Sequence, residues 1–465
     1  MSISNSIIPK NIYFIKDNKI YNSLVYGSEL DFESICVWLS TGFFLGDTTF
    51  FKDLKVLKPS HSFNNGTSTG PEWDWHYAPR NISFSNIVDE FIDLFETIVK
   101  DRFNGKKVIL PLSGGLDSRT LGIALQKNQL DVETFTYYFQ RGHNESYYGK
   151  LIADALQYPH KSYVVEPGYL WNDIDRISKI NGSYTEFTHP RQAAFLDYFN
   201  SLGGVFCLGH WGDVLFDNLG LDNNITLEEE VHILKSLIIK KGGYHLANTL
   251  WEVWGLNGHF DDYMNEQLES YLSLIKINGS PNSRIRAFKS LHWAPRWNLV
   301  NLEYFRYSHQ VEMPYYDDSL CKFICSVPEE YLSSRKIQIE YIKRFAPALA
   351  KQTWQEHRPF NLYNYHFDIF PLNLPYRIID KIRRIMKNKD QVSMNWQLQF
   401  LGKVNNQNLY DNLFEKDVLR SLVPDKTVKL FYNLFTKNNP KVYAHAISML
   451  LTLSQFQKNL IINEK

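Results

Sequence analysis

The chain has 465 residues, 44% of them hydrophobic and 22% charged, with 50 Lys+Arg balanced by 50 Asp+Glu. This is the composition of an ordinary globular protein large enough for two or three packed domains. Even charge argues against a dedicated nucleic-acid binder; no apolar stretch approaches the roughly 18 to 20 residues of a membrane span; and the first residues, MSISNSIIPKNIYF, lack the charged-then-apolar pattern of a signal peptide.

Residues 1–85 hold short strand-like pieces, Asn11–Ile15 and Ile20–Leu24, and a Gly/Ser/Thr/Asn-rich stretch, Ser62–Pro71, expected to be an exposed loop. Cys36 lies here; with Cys207, Cys321 and Cys325 it makes up the four cysteines, whose spacing matches no common zinc pattern. Reduced, mostly buried thiols of a cytoplasmic protein are expected.

Residues 86–365 begin with an amphipathic helix over about Ser85–Phe103, where Ile87, Phe91, Leu94, Phe95 and Val99 share one face. Strand and helix patterns then alternate: Lys107–Leu112 strand, Asp117–Lys127 helix, Val132–Phe139 strand, Glu145–Leu156 helix, then Lys161–Val165 and Gly204–Leu208 as strands. Such alternation predicts an α/β fold with a parallel sheet flanked by helices, and a ligand bound beyond the carboxyl ends of the strands. Helical patterns dominate after residue 226. Residues 366–465 are expected to form a helical C-terminal extension, including a basic amphipathic helix at Arg377–Met386 whose face suggests either a solvated surface or contact with a membrane or acidic partner.

Two segments sit where a ligand should bind. Val108-Ile-Leu-Pro-Leu-Ser-Gly-Gly-Leu-Asp-Ser-Arg119 runs from an apolar strand through Ser113-Gly114-Gly115 into a helix. Glycines let a bulky anion approach the backbone, and the free amides and dipole of a helix start favour phosphate. Ser113 and Ser118 add hydroxyl donors, and Asp117 stands where a Mg2+ bridging phosphate oxygens needs a carboxylate. No lysine follows the glycines as it does in a GxxxxGK[ST] loop, so the segment suits a pyrophosphate group rather than terminal phosphate transfer. Cys207-Leu-Gly-His-Trp-Gly-Asp-Val-Leu-Phe-Asp217 follows another strand, and its Asp213 is the candidate second metal carboxylate.

In this order the two segments resemble those of the asparagine synthetase superfamily, with its SGGLDS loop and SGEGxDE-like turn. Phe43–Phe51 with Leu57-Lys-Pro59, Val311-Glu-Met-Pro-Tyr-Tyr-Asp317, Ser326-Val-Pro328, Ala346-Pro347 and Arg358-Pro-Phe360 extend the likeness over roughly residues 40–360. The resemblance implies an adenine nucleotide alpha hydrolase-like fold, ATP and Mg2+ as cofactors, and amide formation through an adenylated carboxylate. Carried over by position, Ser113, Gly114, Gly115, Leu116, Asp117 and Ser118 match the pyrophosphate loop. Leu112 and Tyr137 match the adenine and ribose pocket, and Leu208 and Gly209 a further nucleotide contact. Asp117 and Asp213 match the metal-linked carboxylates. The family's transition-state lysine has Lys336 as its candidate here, with Lys343 and Arg335 as alternatives. Glu145 resembles an acidic helix start, and Arg296 and Asn298 are candidates for the substrate side.

The departures are specific. The family's N-terminal nucleophile is a cysteine, whereas position 2 is Ser2, and about 85 residues precede the synthetase part; a truncated, inactive glutaminase-like β-rich domain is expected over residues 1–85. His210 replaces the glutamate of the SGEG turn, Val214 the one after the metal aspartate, and Trp211 a small residue. A histidine there is a candidate base near neutral pH. These changes turn the expectation away from aspartate and toward a small molecule or peptide carrying both carboxylate and amine, with a carrier or precursor peptide as a possible partner and no nucleic acid. Two alternatives stand beside this: a tRNA-modifying ATP pyrophosphatase, weakened by neutral charge and the lack of a CxxC pair, and a degenerate non-catalytic ATP-binding partner.

Overall fold

A computed structural model describes residues 3–142, 145–386, 391–414 and 418–463, with the side chains of 380, 383–386 and 463 outside the description. At its centre is a five-stranded parallel sheet: β1 (Val108–Pro111), β2 (Val132–Phe139), β3 (His160–Val165), β4 (Val205–Cys207) and β5 (Val311–Glu312). The order is β5-β4-β1-β2-β3, with Val108 beside Val132, Thr134 beside His160, Ile109 beside Phe206, and Phe206 beside Val311. β1 and β4 are almost wholly buried, as near-continuous apolar runs in a doubly covered sheet should be. The chain steps outward from β1 to β3 and then returns to the other side of β1 as β4. Between β1 and β4 the direction of winding therefore reverses, and the carboxyl ends of those two strands diverge to leave a crevice.

The expected sheet and its helices are present: Phe84–Phe103, capped by Ser83, buries Ile87, Phe91, Phe95 and Val99, and Leu116–Lys127 and Glu145–Leu156 connect β1 to β2 and β2 to β3. β5 has no counterpart in the sequence reading, because two residues carry no periodicity. Ser62–Pro71 is not a plain loop. Ser62–Asn64 and Thr67–Thr69 pair as a hairpin that also joins Ile3–Ser4. Asn65 and Gly66 turn it with φ of 50° and 82°, the left-handed pair that an Asn-Gly hairpin turn requires.

The three sequence regions share one continuous apolar core that runs from Ile7 to Phe456. Residues 1–85 do not have a core of their own: Phe50 stacks on Phe456 at 3.9 Å, and the Trp38 indole donates to the Tyr184 carbonyl at 2.8 Å. The C-terminal part is likewise more than an extension. Its last helix, Pro440–Asn463, buries Ala444, Ile447, Leu450, Leu451 and Phe456, a pattern apolar on several sides as a helix enclosed by protein must be. All four cysteines are buried and unpaired.

Candidate active site

The crevice at the sheet's reversal point carries both motif segments. After β1 the chain bends through Ser113–Gly115, and Gly115 is the N-cap of Leu116–Lys127. Glycine offers no capping side chain and none is found, so the first-turn amides are not closed off by a cap and face the crevice with the positive end of the helix dipole. Ser113 and Ser118 stiffen the bend: the Ser113 amide donates to Ser118 Oγ at 3.2 Å, and Ser118 Oγ donates to the Ser113 carbonyl at 3.2 Å. Gly114 is covered from outside, since a Cβ there would lie 2.7 Å from Gln355 Cβ. The neighbouring Arg119 ties the bend to residue 353 by donating to the Thr353 carbonyl at 2.7 Å.

The second segment packs directly on the first. A Cβ on Gly209 would meet Asp117 Cβ at 3.1 Å, and one on Gly212 would meet Asp117 Cγ at 2.6 Å and Tyr315 Cζ at 2.9 Å. Both glycines are there because the Asp117 side chain occupies the space. Trp211 takes the left-handed conformation (φ 81°) and anchors its indole on Ser290 Oγ at 3.0 Å. Buried Arg286 clamps the end of this segment, donating to the Val214 and Asp217 carbonyls and, in bidentate fashion, to Glu329 at 2.6 and 2.9 Å.

Asp117 is the centre of a polar cluster. Its carboxylate accepts from Arg335 and from Gln338 Nε2 at 3.0 Å, and Gln338 also donates to the Tyr315 hydroxyl at 2.9 Å. Burial pushes the Asp117 carboxyl up to about 6, against the pull of the Arg335 guanidinium and reinforced by the charge of Asp213. Arg335 reaches this position through an unusual turn. Ser334 and Arg335 both take left-handed φ, 56° and 60°, and Asp217 steadies the turn by accepting the Ser334 amide at 2.9 Å. The cation set against Asp117 is thus Arg335. Lys336, the sequence candidate, is exposed and donates to the Glu330 carbonyl at 2.8 Å, and Lys343 lies over the Tyr363 ring. The turn rotates residue 335 inward and residue 336 out, and neither residue is a glycine or asparagine whose presence would have announced it.

A cleft of about 670 Å³ opens above these loops. Leu112, Thr136, Tyr137 and Leu208 line it from the strand ends, with Ser113, Gly115, Asp117, Ser118, Gly209, His210 and Asp213. Leu116, a loop residue by position, instead turns its side chain into the core. Glu145 and Arg191 stand on the rim 3.7 Å apart; His143 and Asn144, beside Glu145, lie outside the described residues. The facing wall is a helix that loosens into a π-helical stretch, Lys289–Asn298, around Pro295. Proline has no amide to donate, so the regular helix ladder cannot continue through it. This stretch presents Lys289, Trp293, Trp297 and Asn298 to the cleft. Asn298 donates to the Tyr316 hydroxyl at 3.1 Å. Arg296, expected beside it, is instead buried against the N-terminal region, where it donates to the Thr48 carbonyl at 2.6 Å.

A smaller cleft of about 350 Å³ adjoins the first and shares Asp117, Asp213, Val214 and Lys289 with it, adding Asp217, Arg286, Arg335 and Glu356. Lys289 therefore borders both spaces, its ammonium held below the usual lysine range by burial. No sequence motif pointed to it. His210 borders the main cleft, but burial lowers its imidazole to about 4, so it is neutral and weakly basic at pH 7 rather than a poised base.

The donor set fits a magnesium nucleotide. Two carboxylates, Asp117 and Asp213, border both clefts beside the uncapped amides. Among the described residues no three His, Cys, Asp or Glu side chains converge; Mg2+ typically binds through one or two carboxylates and takes its other oxygens from phosphate and water. Among the described residues no helix is long and apolar enough to cross a membrane. Residues 90–352 match the family model described as asparagine synthase, a span that takes in both motif segments, the aromatic wall and Arg335. No curated protein matches the chain.

Proposed function

The chain belongs to the asparagine synthase family, whose members are ligases that yield AMP and pyrophosphate, and on that footing we propose that it is an ATP-dependent amide-forming ligase acting without a glutaminase of its own. In the proposed reaction a substrate carboxylate oxygen attacks the α-phosphorus of ATP and pyrophosphate leaves. An amine nitrogen then attacks the acyl carbon, AMP leaves, and the amine proton passes to solvent or a nearby base. Mg2+ bound by Asp117 and Asp213 would neutralise phosphate charge. The chain's own groups do the rest: the first-turn amides grip the inner phosphates, Leu112 and Tyr137 hold the nucleoside, and Arg335 and Lys289 offset negative charge that grows as pyrophosphate departs. The observation that carries this reading is the uncapped glycine bend at the sheet's reversal point, with Asp117 pressed against the turn of Asp213.

Cys36, which precedes the family-matched residues, is buried in a helix with its thiol pushed well above the ordinary range, so it is unsuited to serve as a glutaminase nucleophile. The amine is therefore taken to come with the substrate. Trp211, Trp293 and Trp297 give the cleft an aromatic wall suited to a small molecule or peptide larger than aspartate. A carrier or precursor peptide is a fitting partner for such a substrate. The test is pyrophosphate release from Mg-ATP across a panel of compounds bearing both carboxylate and amine. Release that appears with one class and yields an amide is expected; calorimetry showing no Mg-ATP binding at all would refute the proposal.

A further inference from the structure

Outside the site, the segment 363–382 departs from ordinary packing by exposing a run of large apolar side chains. The helix Leu374–Met386 has apolar residues at Leu374, Ile378, Ile379 and Ile382, spaced to form one face. In the helix Phe84–Phe103 an equivalent stripe is buried against the core. Here it is not: Ile378 is 51% exposed and Ile382 49%. The exposed apolar surface continues off the helix through Ile369 at 58% and Phe370 at 73%. The helix is nevertheless joined to the body, since Tyr376 packs edge-on against Phe360 at 5.1 Å and Asn373 at its base is buried and donates to Asp368 at 2.9 Å.

The sequence of the same helix is rich in cationic residues. Its sequence sets Arg377, Lys381, Arg383 and Arg384 against the single acid Asp380, in a chain whose total charge is zero. Arg377 and Lys381 flank the apolar face and are exposed. A wide apolar face that extends beyond the helix into Ile369 and Phe370 suits a plane better than a groove, which takes a narrow stripe from one helix. Cations beside that face suit a plane of negative charge, and aromatic residues at the margin suit the boundary between headgroups and acyl chains. We propose that residues 369–386 are an interfacial anchor that docks this protein on an anionic lipid surface, with the helix lying in the plane of the headgroups.

The test is co-sedimentation of the full chain with vesicles of phosphatidylglycerol mixed with phosphatidylcholine, and with phosphatidylcholine alone. Binding is expected to be at least about tenfold stronger to the anionic vesicles and to weaken as salt is raised. The double variant Ile378→Asp/Ile382→Asp should lose at least about tenfold in vesicle binding, with its far-UV circular dichroism unchanged. The variant Arg377→Glu/Lys381→Glu should lose the preference for anionic lipid. Three results would each overturn the proposal: no vesicle binding by the parent chain, undiminished binding by the isoleucine variant, or a parent chain that is a dimer in light scattering and becomes monomeric in that variant, which would make a second copy the occupant of this face.

Discussion

The two walls of the cleft are built in opposite ways. The loop wall hangs from β1 and β4, and each of its pieces lies within about a dozen consecutive residues, Val108–Arg119 and Cys207–Asp217. The helical wall gathers Lys289, Trp293 and Asn298 from a helix loosened at Pro295, and the smaller cleft beside it takes Arg335 from a left-handed turn far along the chain. A phosphate grip needs backbone amides at a strand end, and one short segment supplies them. A cation set against a buried carboxylate needs two distant segments docked to within hydrogen-bonding range, which only the tertiary fold provides.

The comparison is tested most severely at Asp117 and Asp213. If both serve one metal on the loop wall, Asp117→Ala and Asp213→Ala should each abolish pyrophosphate exchange, a loss of at least about a thousandfold, with far-UV circular dichroism unchanged. Exchange at near-parent rates in both variants would remove the metal assignment and leave the loop a structural turn. At the left-handed turn, Arg335→Ala should lower kcat by about a hundredfold to a thousandfold, while Lys336→Ala should stay within about twofold of the parent. The reverse order would return the cationic role to the lysine.

Much of the loop wall was legible in the sequence because its signals are local. The apolar run Val108–Leu110, the glycines, and Asp117 at a helix start state a geometry by themselves. Asp213 was legible for the same reason. Arg335 was only one of three candidates, since its inward aim depends on φ at residues 334 and 335 that neither side chain advertises. Lys289 gave no sign at all: a lysine on an amphipathic helix looks like surface until the facing loop is known. Arg296 misled in the other direction, because its partners, the Gly46 and Thr48 carbonyls, lie in a region that appeared to be a separate domain. The same long-range packing explains why residues 1–85 and the last helix did not read as parts of one core.

The seam between the two loops of the loop wall offers a finer probe. Gly212 leaves room for the Asp117 carboxylate, and a methyl group there would also meet the Tyr315 ring. Gly212→Ala should cost about 1–3 kcal/mol in urea unfolding and weaken Mg-ATP binding as Asp117 shifts. Gly203, with nothing near its would-be Cβ, is the matched control: Gly203→Ala should leave nucleotide binding unchanged. Equal effects from both substitutions would mean that the two loops are not pressed together as described.

The smallest expected effect concerns what holds the helical wall from behind. Glu186 is buried and accepts from the Thr188 amide at 2.7 Å, from Thr188 Oγ at 2.6 Å and, across to the last helix, from Ser448 Oγ at 2.6 Å. The next residue, His189, packs its ring on Trp297 of that wall at 4.4 Å. Burial raises the Glu186 carboxyl above the ordinary glutamate range despite these donors. Because the folded value lies above the unfolded one, ionisation costs the fold more than it costs the unfolded chain. Its contribution to stability is therefore full at low pH and is lost as pH rises through the raised value. Glu186→Gln does not titrate and keeps an oxygen to accept from Ser448. Its melting temperature should gain on that of the parent, by about a degree or two, as pH is raised from about 5 to about 8. A constant difference across that range would mean that Glu186 stays ionised throughout, and that the tie between the helical wall and the C-terminal helix is a charged one.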